Sequence, residues 1–440
     1  MQIIGADFVV LCDEKFSVIK KGGICFDTRG ILEIGDYVEL CAKYAESKNE
    51  YFASCAITPA LANMHLHLEF SKNVGILHFG DFGDWLDSVL LEREHLMGED
   101  LQTAMQDGIL ECLKSGVGFV GAISSYGADL EILANSPLRV MYFNEAIGSN
   151  IEALDVLYQN FLVRLNDSKA KKSTHFIPAI AVHSPYSVHP KLLEKVLEVA
   201  KKENLPVSAH FLESKAEREW LESSSGYFQG FYERFFKKTM CSFYSTESFL
   251  EAFSGLKNVY FTHCLEANDK ILAKIKEQKA RIITCPKSNR LLNNKFLDLS
   301  TLDGILLCLG TDGKSSNDSL SLLDELRIAL FAYANRPLET LARELLLSVT
   351  RNVFLDSVLP LGELKVGNFS DFAVFKLPQS KEFLAQNLIL YAKEAHKLYI
   401  AGEEVLGLAL QKALEKRLES KAEKLENSKQ RGEYGKISNF

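Results

Sequence analysis

Several structural classes are excluded by what this 440-residue sequence lacks. Its nine cysteines are an odd number and form no C-x-x-C pair, which favours reduced, buried thiols in a cytoplasmic protein. No apolar run approaches the roughly 20 residues that cross a bilayer. The amino terminus has no charged segment followed by a long apolar one, and we therefore expect no signal peptide.

Acidic residues outnumber basic ones, 58 to 50. The net charge is −8 at pH 7 and the isoelectric point is about 5.8, which argues against nucleic acid or an anionic membrane as the main partner. The sequence contains no internal repeat and no low-complexity domain. With 47% hydrophobic and 25% charged residues, it has a globular composition and enough length for one barrel and a small extra domain.

Both ends of the chain are rich in short strand patterns. Apolar runs closed by Asp or Gly turns recur in residues 1–58, and a similar pattern returns in residues 361–405. We predict that these two segments form one small β-sandwich domain. Residues 406–440 are rich in Leu, Glu, Lys and Ala at helical spacing and predict a solvated helix with a frayed tail.

Between the two ends, residues 59–360 alternate strand-like apolar runs with longer helical patterns. Such alternation favours a parallel sheet, and eight strand runs favour its closure. The predicted fold class is therefore α/β, with a (β/α)8 barrel of the TIM type. The eight predicted strands are 62–67, 118–124, 138–144, 178–183, 206–211, 258–263, 280–285 and 305–311.

One connection of the predicted barrel is long and unusually aromatic. It covers residues 214–250 and follows the fifth strand. Two interpretations stay open, an insertion that caps the site or forms a subunit contact, and an amphipathic helix that packs its aromatic side chains on the barrel. The aromatic residues are Trp220, Tyr227, Phe228, Phe231, Tyr232, Phe235 and Phe236.

Histidines and acidic residues stand at the ends of the predicted strands. His65 and His67 are two residues apart, a spacing that places both imidazoles on the same face of a strand, where they can bind one metal ion. His210 ends the fifth strand. Glu213, three residues later, can lie beside a metal-activated water and transfer a proton without binding the metal.

The fourth, sixth and eighth strands end in His183, His263 and Asp312. Each motif alone is more often structural than functional. Together, at the carboxyl ends of barrel strands, they predict an active site around one divalent metal. The fourth strand carries no lysine at its tip that could bridge a second metal, which favours a mononuclear centre.

These motifs resemble the amidohydrolase superfamily, specifically its cytosine-deaminase-like, mononuclear branch. The resemblance covers roughly residues 1–405, and within the branch it is to the aminofutalosine deaminases of the futalosine route to menaquinone. One departure is Ala60, where this branch often has glycine. The matching stretches are Thr58-Pro59-Ala60, His65-Leu66-His67-Leu68-Glu69-Phe70, His183-Ser184-Pro185-Tyr186-Ser187, Ser208-Ala209-His210-Phe211-Leu212-Glu213-Ser214, Thr262-His263-Cys264, Cys285-Pro286-Lys287-Ser288-Asn289-Arg290 and Gly310-Thr311-Asp312-Gly313.

The resemblance implies a role for each matching position. His65, His67, His210 and Asp312 would hold one divalent metal ion, Zn²⁺ in the first place and Fe²⁺ as the alternative. Asp312 would also accept a proton from the attacking water. Glu213 would carry a proton to the purine ring nitrogen, and His263 would bond the attacking water or the tetrahedral centre. The expected reaction converts an adenosine-type nucleoside to its inosine analogue and ammonia.

The substrate-binding side of the site is less specific. His183, Trp85, Glu145 and Arg290 are the candidate substrate contacts, and Lys287 or Arg139 are further cations that could pair with a substrate carboxylate. The expected substrate is aminofutalosine. The alternatives are S-adenosylhomocysteine, 5′-methylthioadenosine or adenosine, a related guanine deaminase or triazine hydrolase, and a non-catalytic scaffold. A homodimer is left open by analogy with relatives.

Overall fold

The computed structural model describes residues 1–73, 75–98, 100–378 and 382–412, and eight parallel strands form its largest sheet. Their order in space follows their order in the chain, each pairing with the next. Four strands precede the barrel, β1 (Gln2–Val10), β2 (Val18–Asp27), β3 (Gly30–Asp36) and β4 (Lys48–Pro59). The barrel strands are β5 (Leu61–Leu66), β6 (Val117–Ser124), β7 (Arg139–Ala146), β8 (Phe176–Val182), β9 (Val207–Phe211), β10 (Val259–His263), β11 (Arg281–Thr284) and β12 (Leu307–Leu309). Three strands follow it, β13 (Phe372–Lys376), β14 (Ala395–Ile400) and β15 (Glu403–Glu404).

Helices fill the connections between the strands. In the described residues they are α1 (Tyr37–Lys43), α2 (Phe82–Leu91), α3 (Arg93–Leu96), α4 (Leu101–Lys114), α5 (Leu130–Ala134), α6 (Leu154–Ala170), α7 (Pro190–Glu203), α8 (Lys215–Ser223), α9 (Tyr227–Phe236), α10 (Thr246–Glu251), α11 (Asp269–Glu277), α12 (Pro286–Asn293), α13 (Leu322–Ala332), α14 (Leu338–Ser348), α15 (Arg351–Phe354) and α16 (Leu384–Tyr391).

Helix α7 shows how the outer helices form and pack. Pro190 occupies its first turn, and the His189 side chain caps its amino terminus by accepting the Lys191 backbone N–H. Leu193 and Leu197, four residues apart, lie buried on the face against the strands. The predicted alternation of strands with helices is thus present here.

The first and last barrel strands meet at a seam that nearly closes the barrel. The backbone N–H of Asp312 donates to the carbonyl of His65 at 2.9 Å. Beneath it, the Asn63 side chain bonds both the hydroxyl and the backbone N–H of Thr311, at 2.8 and 3.1 Å. The predicted (β/α)8 fold is confirmed. The seam joins two segments that each carry a candidate metal ligand, His65 and Asp312.

Apolar side chains from alternate strand positions fill the barrel interior. Met64, Phe143 and Tyr260 belong to one buried cluster there. Phe354 from α15 completes it, with its ring 4.9 Å from that of Phe119. The interior is therefore a packed core, and the candidate site lies at the carboxyl ends of the strands.

The second domain is a seven-stranded mixed sheet with strand order β15-β14-β13-β4-β1-β2-β3. Strand β4 pairs with β1 in parallel and with β13 in antiparallel orientation. The prediction that both chain ends contribute to one small domain is confirmed, because β4 lies between strands from the two ends. Strand β4 then leads through Ala60 directly into the first barrel strand.

A buried ion pair joins the two domains at the amino-terminal end of the barrel strands. The Arg139 guanidinium donates to both carboxylate oxygens of Asp371, at 2.6 and 3.0 Å, and lies over the Phe369 ring. Arg139 begins β7, whereas the candidate site lies at the carboxyl ends of the strands. The suggestion that Arg139 pairs with a substrate carboxylate is therefore wrong, because its charge is neutralised elsewhere.

The long aromatic connection folds into helices α8, α9 and α10. Its side chains pack on α2 and on the loop after β8, forming what we call the aromatic cap. Packing of the aromatic side chains, one of the two interpretations, is thus observed. The buried members of the aromatic cap are Phe82, Tyr186, Trp220, Phe228, Phe231, Tyr232 and Leu292.

Seven of the nine cysteines are buried and all nine are free thiols, as the sequence predicts. In the described part of the chain, no helix combines the length and apolar character needed to cross a membrane. Residues 406–412 are helical, and the rest of the predicted carboxyl-terminal helix lies outside the described residues.

Candidate active site

Three imidazoles meet at one point above the barrel core. His65 lies on β5, His67 directly follows it and His210 lies on β9. Their Nε2 atoms are 3.2 Å from one another in all three pairs. The convergence that the two-residue spacing predicts for His65 and His67 is therefore present, and His210 joins them from the opposite part of the sheet.

The other ring nitrogens show which tautomers these histidines adopt. His210 Nδ1 lies 2.7 Å from the His183 carbonyl, which can only accept a hydrogen bond, so Nδ1 carries the proton and Nε2 a lone pair. His65 Nδ1 lies 3.3 Å from the Thr262 hydroxyl. Burial lowers the pKa of both imidazoles well below the usual value, and it lowers the pKa of His67. Neutral imidazoles with converging lone pairs suit a metal ion.

Asp312 brings a carboxylate to the same point. Its Oδ1 lies 3.6 Å from His65 Nε2 and 3.5 Å from His67 Nε2. Burial acts to raise the pKa of this carboxyl, but the neighbouring imidazoles of His65, His67 and His263 outweigh it and leave the pKa below its usual value. Asp312 is therefore ionised at neutral pH.

The backbone around Asp312 approaches His65 and His67 very closely. A Cβ at Gly310 would lie 2.6 Å from the Cβ of His65, and a Cβ at Gly313 would lie 2.8 Å from that of His67. Only glycine fits at such distances. Asp312 itself has φ of 59°, a left-handed conformation that is sparsely populated and recurs at functional sites.

The spacing of these four side chains suits a single metal ion. Five of the six distances between their donor atoms are 3.2–3.6 Å, close to the roughly 3.3–3.4 Å expected for adjacent ligands about 2.0–2.1 Å from a zinc ion. Glu145 and His183 form another group of potential ligands, but only together with His210. Because one Nε2 lone pair binds one ion, the geometry supports a single centre, as the missing lysine predicted.

Glu213 and His263 lie beside the three histidines and Asp312. His263 Nε2 is 3.6 Å from Glu213 Oε1 and 3.8 Å from Asp312 Oδ2. Burial, followed by the charge of Asp312, raises the pKa of Glu213 well above its usual value. Burial therefore favours the protonated form of Glu213, whereas the surroundings of Asp312 favour its ionised form. A pair of carboxyl groups with pKa values moved apart is the arrangement that separates an acid from a base.

Two residues at the start of α12, just past the end of β11, hold this arrangement and have no role in the sequence prediction. The Ser288 hydroxyl donates to Asp312 Oδ2 at 2.9 Å, and Asn289 Oδ1 lies 2.8 Å from His263 Nδ1. Both side chains are fully buried. Their position at the end of a strand is the signal that could have identified them, since that is where the other site residues lie.

Two of the candidate substrate contacts reach the centre. Glu145 and His183 each offer an atom within 4.8 Å of the other and of His210. Burial raises the pKa of Glu145 and lowers that of His183 to about 4. Glu145 Oε2 accepts from the Ser125 hydroxyl at 2.6 Å, whereas its buried Oε1 has no partner among the described residues. Their assignment to the substrate stays a prediction.

The other candidate contacts form hydrogen bonds or ion pairs with residues outside the group of three histidines and Asp312. Trp85 is half-buried on α2, and its indole N–H donates to the Ser315 carbonyl in the loop after β12 at 2.7 Å. Arg290 is exposed on α12 and donates to Asn294 four residues later. Lys287 pairs with Asp318. Roles for Trp85 and Arg290 in substrate binding stay predictions.

The sequence was compared with known families and proteins. The Amidohydrolase family pattern matches residues 56–405. An aminodeoxyfutalosine deaminase from a Nitratiruptor species is 40% identical over 392 residues, which cover 88% of this chain and 96% of that protein. An adenosine deaminase from Helicobacter pylori is 39% identical over 417 residues, which cover 92% of this chain and 100% of that protein.

A solved structure resembles the whole fold. It is the Helicobacter pylori aminofutalosine deaminase in complex with methylthio-coformycin, with a TM-score of 0.87 and 38% identity. The match covers 92% of this chain and 100% of that chain. A zinc-containing adenosine deaminase from Xanthomonas campestris shares the fold with a TM-score of 0.77 at 18% identity.

Proposed function

This chain belongs to the amidohydrolase family, and we propose that it is a hydrolytic deaminase that converts aminodeoxyfutalosine to futalosine and ammonia. The observation that carries the proposal is the environment of Glu213. A buried carboxyl with a raised pKa, beside three converging imidazoles and an Asp312 with a lowered pKa, can supply the acid and the base that removal of an amino group from a purine requires. Two relatives of nearly equal identity are deaminases of adenosine-type nucleosides.

The proposed centre uses His65, His67, His210 and Asp312 to hold one divalent cation, Zn²⁺ in our proposal. Their donor spacing and neutral imidazoles support it. When bound, such an ion supplies Lewis acidity that lowers the pKa of a water toward about 7. The remaining chemistry falls to the protein side chains.

Three side chains then move protons and stabilise charge. Asp312 accepts a proton from the attacking water, and Glu213 delivers one to N1 of the purine, which makes C6 electrophilic. His263, whose Nε2 has no partner among the described residues, stabilises the charge that develops on the oxygen added at C6. The amine takes the proton that Asp312 accepted, the C6–N bond breaks and ammonia leaves. The proton of the hydroxyl at C6 passes to Glu213 as the carbonyl forms.

The nucleoside itself is the finer part of the proposal. Aminodeoxyfutalosine is supported by the 40% identity to the Nitratiruptor aminodeoxyfutalosine deaminase. Adenosine is the second candidate because of the 39% identity to the Helicobacter pylori adenosine deaminase. We propose Glu145 and His183 as contacts to the nucleoside, with Trp85 and Arg290 nearer the entrance. A cytoplasmic location is supported by the nine free thiols.

Ammonia release and loss of adenine absorbance test the proposal directly. The zinc-loaded protein is assayed with aminodeoxyfutalosine, S-adenosylhomocysteine, 5′-methylthioadenosine, adenosine and guanine. We expect the highest kcat/KM with aminodeoxyfutalosine. A preference for another adenosine derivative would overturn the substrate assignment only, and no ammonia from any of the five would overturn the deaminase function.

A further inference from the structure

The candidate acid Glu213 lies in a short turn between β9 and α8 rather than on a strand or helix. The preceding residue, Leu212, has φ of 50°, so the chain turns there in a left-handed conformation. A carboxyl group that must deliver a proton to a defined ring nitrogen needs a fixed backbone. The contacts of this turn with its neighbours therefore bear on the chemistry.

On one side, the loop after β10 holds the turn by backbone hydrogen bonds. The Cys264 N–H donates to the Phe211 carbonyl at 3.0 Å, and the Glu266 N–H donates to the Leu212 carbonyl at 3.0 Å. These bonds satisfy carbonyl groups on both sides of the bend. They leave the N–H groups of Leu212 and Glu213, which point the other way, in need of acceptors.

Glu217 supplies both acceptors. Its Oε1 accepts the Leu212 N–H at 2.8 Å and its Oε2 accepts the Glu213 N–H at 3.0 Å. Its side chain is fully buried in the first turn of α8. That end of α8 is itself held, because the Glu217 N–H donates to the side chain of the capping residue Ser214 at 3.1 Å.

We propose that Glu217 is a positioning residue for the deamination, acting through the backbone of Glu213. The proposal rests on the proposed function of Glu213 as the proton carrier. Each oxygen of a carboxyl group can accept one of the two N–H groups. The two bonds together fix the position and the orientation of the turn. The amide nitrogen of glutamine presents only hydrogens, so one of the two backbone N–H groups would face another donor.

The test is Glu217→Gln, which keeps the size of the side chain. We expect kcat for the preferred nucleoside to fall about 10- to 100-fold, the scale for a displaced catalytic group. KM should change less than twofold, and zinc content should stay the same. A Glu217→Gln enzyme with the kcat of the wild type would overturn the proposal.

A double-mutant cycle separates positioning from general destabilisation. If Glu217 acts through Glu213, adding Glu217→Gln to Glu213→Gln should lower kcat by less than twofold further. A merely structural role would reduce the active fraction equally in both backgrounds, and that result would overturn the proposal. If Glu217→Gln does not yield folded protein, Glu217→Asp enters the same cycle, with the same two outcomes.

Glu339 provides the matched control. Its carboxylate accepts the N–H groups of two successive residues, Ala385 and Gln386, at 3.4 and 3.1 Å, at the start of α16. Glu339→Gln removes the same kind of contact away from Glu213 and should leave kcat unchanged. If the wild type deaminates none of the nucleosides, the proposed function and this role fall together. If the wild type is active and Glu217→Gln is equally active, only the positioning role falls.

Discussion

Glu213 and Asp312 occupy one buried site, yet their surroundings move the pKa values of the two carboxyl groups in opposite directions. Burial dominates at Glu213 and raises its pKa, whereas three neighbouring imidazoles overcome burial at Asp312 and lower its pKa. The difference depends on which atoms surround each group. An exchange of roles between the two carboxyl groups would require the imidazoles to move.

Replacement of Glu213 by glutamine tests the proton carrier. The amide has nearly the same shape but cannot release or accept the proton, so we expect kcat to fall by about 10²- to 10⁴-fold with zinc content and melting temperature unchanged. Steady-state kinetics and metal analysis measure both. Glu222→Gln, on the exposed face of the adjacent α8, is the control. Full activity in Glu213→Gln would remove this residue from the mechanism.

Asp129 makes folding stability depend on pH. Its Oδ1 is 2.7 Å from the hydroxyls of Ser124 and Tyr142, and its buried Oδ2 has no partner among the described residues. Burial, and then the charge of Glu69, raises the pKa of Asp129 to about 8. The pKa of Asp129 in the folded protein lies above its unfolded value of about 3.9. Its contribution to folding stability is therefore fully present below about pH 3.9. It is lost as the pH rises through 8.

Asp129→Asn should therefore flatten the pH dependence of unfolding. Between pH 5 and 8, we expect the free energy of unfolding of the mutant to rise relative to that of the wild type by up to about 1.4 kcal/mol per pH unit. The reason is that asparagine does not ionise. Urea unfolding at three pH values measures this difference. The exposed Asp155→Asn serves as the reference, and parallel curves for Asp129→Asn and wild type would contradict the prediction.

At the residue scale, the sequence predicted that His65, His67, His210 and Asp312 lie together because each stands at or just past the end of an apolar strand run. Ser288, Asn289 and Glu217 escaped prediction for a physical reason. Each contacts the site through one or two hydrogen bonds to residues on other elements or in a turn, and only the folded chain defines those distances.

At the scale of elements, the barrel strands were predictable because buried parallel strands are continuous apolar runs. The predicted 178–183 and 206–211 correspond to the observed Phe176–Val182 and Val207–Phe211. The 214–250 connection was not predictable to the same degree. Its aromatic residues indicate burial, but the sequence does not say against which surface they pack.

Polar contacts from Tyr227 and Arg234 add to the apolar packing between the aromatic cap and α2. The Tyr227 hydroxyl donates to Asp87 at 2.5 Å, and Arg234 pairs with the same carboxylate at 3.0 Å. Tyr227 and Arg234 lie on α9, whereas Asp87 lies on α2, the helix that carries Trp85. The position of Trp85 therefore depends on a contact between two different connections.

Tyr227→Phe should loosen the cap without changing the chemistry. Loss of one hydrogen bond of about 1 kcal/mol predicts a KM about fivefold higher and an unchanged kcat. Steady-state kinetics with the preferred nucleoside measures both values. Tyr44→Phe, which removes a similar tyrosine–carboxylate bond to Glu33 in the sheet domain, is the control. A lower kcat at unchanged KM would contradict this role of the cap.

At the scale of the whole molecule, the two-domain organisation was predictable because strand patterns recur at both chain ends. The contact between the two domains was not predictable from the sequence. Arg139 and Asp371 are 232 positions apart, and nothing in either local sequence indicates that they pair. The sequence therefore suggested a surface or substrate partner for Arg139, and only the packing of the barrel on the sheet corrected it.

Asp371→Ala tests how far this ion pair stabilises the molecule. It leaves the Arg139 charge buried without a partner, so we expect the free energy of unfolding to fall by about 3–5 kcal/mol. Activity per folded molecule should persist, because the pair lies at the opposite end of the barrel from the site. Denaturant unfolding and kinetics at low temperature measure the two effects. Asp27→Ala, which breaks an exposed pair with Arg29, should lower the free energy of unfolding far less.

The seam between β5 and β12 also determines when the protein can first become active in the cell. His65 leaves the ribosome early, but Asp312, which bonds the backbone of His65, is synthesised 247 residues later. At about 5–20 residues per second, this interval is roughly 12–50 s. For the first part of that time the nascent chain holds only His65 and His67, and His210 joins them before Asp312 is made. The four side chains can therefore come together only late in synthesis.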